Sequence, residues 1–161
     1  MNRTERYAAK NWPGFLLFVL LTLFPAADAM AQGYLGKYCW TLTITTRETG
    51  SVTPETFAFQ ADVLYLGGES YSLNGKVVPS GDNPAVYSGT GIVIGGTLYA
   101  SMAGSQSHAS SGWQDSSVMH LELDVSTLNG TMYDVGNDFN PSTKEFTRRY
   151  TAGSAALTTC P

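Results

Sequence analysis

The chain alternates apolar and polar residues in several separate stretches. Tyr38, Trp40, Leu42 and Ile44 are interleaved with Cys39, Thr41, Thr43 and Thr45. Phe57, Phe59, Ala61, Val63 and Tyr65 alternate with a mixed face that holds Gln60 and Asp62. Met119, Leu121, Leu123 and Val125 alternate with Val118, His120, Glu122 and Asp124. A period of two is the mark of a β-strand with one buried and one more polar face. Between these runs lie turn signals. Asn74-Gly75 separates SYSL from KVV, and Asn129-Gly130 separates VSTL from TMYDV. Asn-Gly suits the positive φ values of a two-residue hairpin. Gly67-Gly68 and Gly95-Gly96 mark two further turns, and Ser80–Pro84 a longer one.

The strands so predicted are 38–47, 56–66, 69–73, 76–80, 85–94, 97–105, 117–126, 131–135, 145–151 and 155–160. That is eight to ten strands, depending on whether short ones merge. The connections are short, as antiparallel neighbours require, except 106–116 and 136–144. Asn140-Pro141-Ser142-Thr143 also reads as a helix start with Pro at its first position, which would replace the strand at 145–151. The fold class is all-β.

Two cysteines, Cys39 and Cys160, bracket these strands with none between. In an oxidising compartment such a pair bonds. Bonding needs Cα atoms about 4.4–6.8 Å apart, so the first and last strands must be neighbours. An up-and-down meander whose first and last strands touch is a closed barrel, which also removes exposed sheet edges. The alternative is a two-sheet β-sandwich, which predicts Greek-key connections in place of consecutive hairpins.

Residues 1–31 explain the oxidising compartment. Arg3, Arg6 and Lys10 precede an apolar run, Phe15–Phe24, ended by Pro25. Ala29 and Ala31 then place small residues before Gln32. This is the three-part pattern of a secretory signal peptide. The run is about half the ~20 residues that a membrane-spanning helix needs. The expectation is a secreted or periplasmic protein, residues 32–161, forming one domain, with no membrane association after cleavage.

The whole chain carries a formal net charge of −4, and losing residues 1–31 leaves it acidic. No basic stripe is present, so binding to a phosphate backbone is excluded as a function class. Candidate chemistry is sparse. His120, Glu122 and Asp124 share one strand face, but same-face neighbours lie about 6.5–7 Å apart along a strand. That spacing suits a solvated outer face better than one metal, and no metal or cofactor is expected. His108 lies in GSQSHASSGWQDSS with several serines and Asp115, yet no Gly-x-Ser-x-Gly elbow accompanies it. No catalytic residue is assigned, and the enzyme reading rests on His108 and His120 alone. His108 and Trp113 are instead candidates for loop recognition, with Trp113 offering a rigid amphipathic surface. Gly89 and Gly91 fall on one strand face, where bending of a small barrel is the ordinary cause. Asn129-Gly130-Thr131 fits a glycosylation sequon.

Some of these features resemble the calycin group, the lipocalins and fatty-acid-binding proteins. Gly36 precedes Trp40 in GKYCW, two residues further apart than in the Gly-x-Trp of lipocalins. Arg148 and Tyr150 in TRRYT are similar to the Arg-x-Tyr near the end of fatty-acid-binding proteins, and the meander spans 38–160. The resemblance implies a barrel interior open to a small ligand, and Arg148 or Arg149 packed across Trp40. The expected function is a secreted, non-enzymatic barrel holding a small apolar or amphipathic molecule, with Trp40, Phe57, Phe59, Tyr99 and Arg148 as wall residues. The alternative is an interaction module whose loops 106–116 and 136–144 bind a protein or glycan.

Overall fold

The computed structural model describes residues 33–78 and 84–161. The expected signal peptide at 1–31, and most of the Ser80–Pro84 turn, lie outside the described residues. Eight strands form among the described residues: β1 (Gly33–Arg47), β2 (Gly50–Gly67), β3 (Ser70–Val78), β4 (Val86–Ile94), β5 (Thr97–Ser107), β6 (Gln114–Asp124), β7 (Gly130–Asn140) and β8 (Glu145–Thr158). They pair in sequence order, all antiparallel, and β1 pairs with β8 to close the barrel. The order is a meander, so the sandwich alternative falls.

The closure is the one expected from the cysteines. Cys39 and Cys160 are disulfide-bonded with Cα atoms 5.1 Å apart. Trp40 reinforces the same end, where its indole N–H donates to the Leu128 carbonyl at 2.9 Å. Leu128 holds a positive φ of 55° there, so the turn before β7 places its left-handed residue at Leu128, not at Asn129 or Gly130.

Strand number settles at eight because one expected turn and one expected break between strands are strand interiors. Asn74-Gly75 lies within β3, with Gly75 paired to Ala61 on β2 and Tyr87 on β4. A Cβ on Gly75 would stand 2.5 Å from the Phe59 ring. The glycine is there to admit that ring, not to turn the chain. Likewise 145–151 and 155–160 merge into β8, whose Gly153 leaves room for the carbonyl of Thr43 on β1. The helix expected from Asn140 does not form. The Asn140 side chain accepts from Ser142 N at 2.9 Å, and its carbonyl from Lys144 N at 2.8 Å, which makes a single turn between β7 and β8. The long loops also shrink. Pairing continues to Ser107–Gln114 and to Asn140–Glu145, so the hairpin tips are only 108–113 and 141–144.

The core is the barrel interior. Trp40, Leu42, Phe59, Leu73, Met102, Met119, Leu121, Leu123 and Met132 are almost fully buried. Trp40 packs between Tyr38 and Phe59 with ring centroids 6.1 and 6.2 Å away, and Phe59 meets Tyr87 edge-on at 6.0 Å. The outer face carries residues such as Asn74, Lys76, His120, Glu122 and Asp124, all exposed. The same outer face also exposes apolar residues, among them Val86, Ile92, Tyr99, Val118, Tyr133 and Val135. No helix among the described residues is long and apolar enough to cross a membrane.

Candidate functional site

At the end of the barrel away from the disulfide, the interior turns polar. Five directly paired residues cross that end: Tyr87 on β4, Gly104 on β5, Ser117 on β6, Gly136 on β7 and Arg149 on β8. The two long side chains, Tyr87 and Arg149, bracket three small ones along this row, as the taper of a small barrel allows. Gly104 lets the Tyr87 ring lie across β5, so that its hydroxyl reaches Ser117 Oγ at 3.0 Å. Burial pushes the Tyr87 phenol up from its ordinary pKa, and the Asp134 charge adds to this.

Arg149 stands opposite Gly136, so its diagonal neighbours on β7 are Asp134 and Asp138. Diagonal neighbours are within reach of long side chains. Arg149 Nη2 donates to Asp134 Oδ2 at 3.2 Å, and Nη1 lies 3.3 Å from Asp138 Oδ1 and 3.7 Å from Asp115 Oδ2. The Asp138 contact is an ion pair without hydrogen-bond geometry. Asp115 and Asp138 face each other directly across β6 and β7. Two carboxylates so placed repel, and the guanidinium between them offsets that cost. Burial works against the Arg149 charge, but Asp134 and Asp138 outweigh it and hold the guanidinium above its ordinary range. Burial raises the Asp138 carboxyl, against the pull of Arg149 and with help from Asp115, Glu48 and Asp134. Asp134 Oδ1 and Arg149 Nε are buried without a hydrogen-bond partner.

Beneath this cluster lies a cavity of about 230 Å³. Its apolar lining is Ile44, Phe57, Val77, Ala85, Met119 and Met132; Tyr87, Asp134, Arg149 and Thr151 are among its polar lining. Larger hollows of about 590, 510 and 340 Å³ are grooves along the outer wall and rim. The interior cavity matters more despite its size, because of these four hollows it is the one that joins an apolar floor to the buried Asp134–Arg149 pair.

The expected wall residues divide three ways. Phe57 lines the cavity. Trp40 and Phe59 point inward, but they belong to the solid core and not to the cavity lining. Tyr99 and Arg148 are corrections, since both are exposed on the outer wall. Leu98, Ala100 and Met102 take the inward parity of β5, so Tyr99 must face out. In β8 the inward residue is Arg149, one position from the expected Arg148; a shift of one residue exchanges the two faces. Nor does either arginine cover Trp40. The ring partners of Trp40 are Tyr38 and Phe59, and Trp40 pairs with Leu157, far along the ladder from Arg149.

His108 and Trp113 close the tip of the β5–β6 hairpin, where His108 N donates to Trp113 O at 2.8 Å. His108 Nε2 lies 3.1 Å from Asp115 Oδ2, which ties the tip to the acidic cluster. Trp113 is exposed. His120 faces the outer groove that also holds Tyr99. Among the described residues, no three His, Cys, Asp or Glu side chains are placed to hold a metal ion.

Asp134 and Asp138 were not singled out by sequence reasoning. The available signal was parity: Met132, Asp134, Gly136 and Asp138 continue one face of β7, so carboxylates occupy the apolar side of a strand. The chain matches no family model, and no curated protein and no solved structure matches it.

Proposed function

We propose that this chain is a non-enzymatic binding protein that takes one small amphipathic molecule into the polar-mouthed end of its barrel. The observation that carries the reading is the 230 Å³ cavity, with an apolar floor and convergent polar groups at one end. That combination is what small-molecule sites present. Size narrows the ligand class. Drug-sized pockets run from about 300 Å³ upward, while a cavity of about 150 Å³ accepts benzene. The occupant is therefore somewhat larger than a single ring and smaller than a long-chain fatty acid. The disulfide supports an oxidising compartment, and with the pattern at 1–31 it supports a secreted or periplasmic protein.

The test is a thermal-shift and native mass spectrometry screen of the disulfide-intact chain against one- and two-ring compounds. Saturable one-to-one binding is expected, abolished by Ala85→Leu, which fills the cavity while circular dichroism remains that of the parent. Ligands that bind equally well with the cavity filled would overturn the reading.

A second reading, recognition of a protein or glycan by the hairpin tips, is favoured by Phe146. It lies at the start of β8 beside the 141–144 tip, is 74% exposed, and packs against Phe139 with ring centroids 4.9 Å apart and planes tilted by 39°. That reading requires Phe146→Ser to abolish partner capture and leave small-molecule binding intact.

A further inference from the structure

We infer that the molecule taken by the cavity is a cation: a small amine carrying an apolar group about the size of one ring, with its ammonium against Asp134 and within the field of Asp138, which shares Arg149 with it. The inference rests on the cavity reading above and adds the charge of the ligand. Three carboxylates, Asp115, Asp134 and Asp138, meet one guanidinium at the mouth. His108 pairs with Asp115 from the hairpin tip, and Arg47 and Glu55 neutralise each other at 2.7 Å, so the acidic surplus remains.

Surplus charge alone names no ligand; the state of Asp134 does. The residue is 5% exposed, lines the cavity, and has one oxygen bonded to Arg149 while the other has no partner. A buried acceptor left unpaired is costly, and more so on a charged group. An N–H donor with positive charge, entering the cavity, answers both the missing bond and the uncompensated charge. A carboxylate or phosphate would meet the opposite field, with Arg149 already shared among three acids. The unpaired Arg149 Nε–H calls for a neutral oxygen acceptor on the ligand or nothing.

A bare metal ion fits poorly, because Arg149 occupies the centre of the three carboxylates and the floor offers no ligand atoms beyond Met119 and Met132 sulfur. The apolar floor calls for a hydrocarbon body. The rings of Phe57 and Tyr87, both in the lining, add aromatic surface that favours an ammonium group.

The experiment is isothermal titration of the disulfide-intact chain with three molecules of one shape: 2-phenylethylamine, 2-phenylethanol and phenylacetate. The amine is expected to bind at least about tenfold tighter than the alcohol, and the acid weaker than either. Asp134→Asn and, independently, Asp138→Asn should each cut the amine's preference over the alcohol to within about threefold. Asp138 is the more exposed of the two, so its variant keeps the test alive should Asp134→Asn fail to fold. Alcohol binding as tight as amine binding, or a preference that survives both variants, overturns the charge assignment while the cavity reading stands. Failure of all three molecules to bind overturns both.

Discussion

Replacing Cys39 and Cys160 together by alanine removes the covalent tie between β1 and the end of the chain. The closed loop spans a sequence separation of 121. On the chain-entropy account, opening a loop of that length frees the unfolded state by about 5 kcal/mol. A domain of this size is stable by about 5–15 kcal/mol in total, so the loss is a large share. The ladder between β1 and β8, from Cys39–Thr158 to Arg47–Thr151, remains, as does the Trp40 bond to Leu128. The variant should therefore fold, but weakly. Urea unfolding followed by circular dichroism is the assay. With a slope of about 2 kcal/mol/M, the midpoint should fall by about 2.5 M, and the slope itself should rise as the unfolded chain expands. A loss below about 1 kcal/mol with an unchanged slope would refute the reasoning. The unfolded chain would then be no freer without the sulfur link than with it.

Two further outcomes follow from packing and charge. Gly104→Ala places a methyl against Tyr87 Cδ1 and 2.6 Å from the Val86 carbonyl, and should cost about 1–3 kcal/mol or more by urea midpoint. A variant as stable as the parent would mean the ring moves aside freely. Asp124→Asn should flatten the acid limb of the stability profile. Its carboxylate accepts first from the Ser126 hydroxyl, then from the backbone N–H groups of Thr127 and Ser126, which lower its pKa in the folded state. That contribution is present above the ordinary Asp value of about 3.9 and disappears as pH falls through the depressed folded value. Thermal midpoints recorded from neutral to strongly acidic pH should converge for parent and variant at the acid end; parallel curves would count against the assignment.

The barrel was legible because its evidence is local and periodic. Alternation in 38–45 and 117–125 located strand faces, Gly67-Gly68 and Gly95-Gly96 located turns, and the two cysteines joined the ends. Misreadings arose where tertiary contact overrode local preference. Asn74-Gly75 has the composition of a hairpin, but Phe59 needs the space above Gly75, and Asn74 bonds to Ser88 at 2.6 Å within the sheet. The serine-rich stretch 106–116 has weak strand propensity, yet cross-strand backbone pairing carries it to Ser107 and Gln114. Register explains the site. Arg148 and Arg149 are adjacent and chemically alike, and only the pairing of Arg149 with Gly136 decides which faces in. The polar row depends on Gly104 and Gly136 standing in register with Tyr87, Ser117 and Arg149 across five strands, a relation between distant positions that no single window contains.

The plug of Trp40, Leu42, Phe59 and Leu73 fills the disulfide end of the interior. A vessel stoppered at its base is a cup and not a pipe. On the proposed reading, a bound molecule departs by the door it came through, so an incoming one cannot push it out ahead of it. Exchange must begin with departure, and its rate will not rise with the concentration of the competitor.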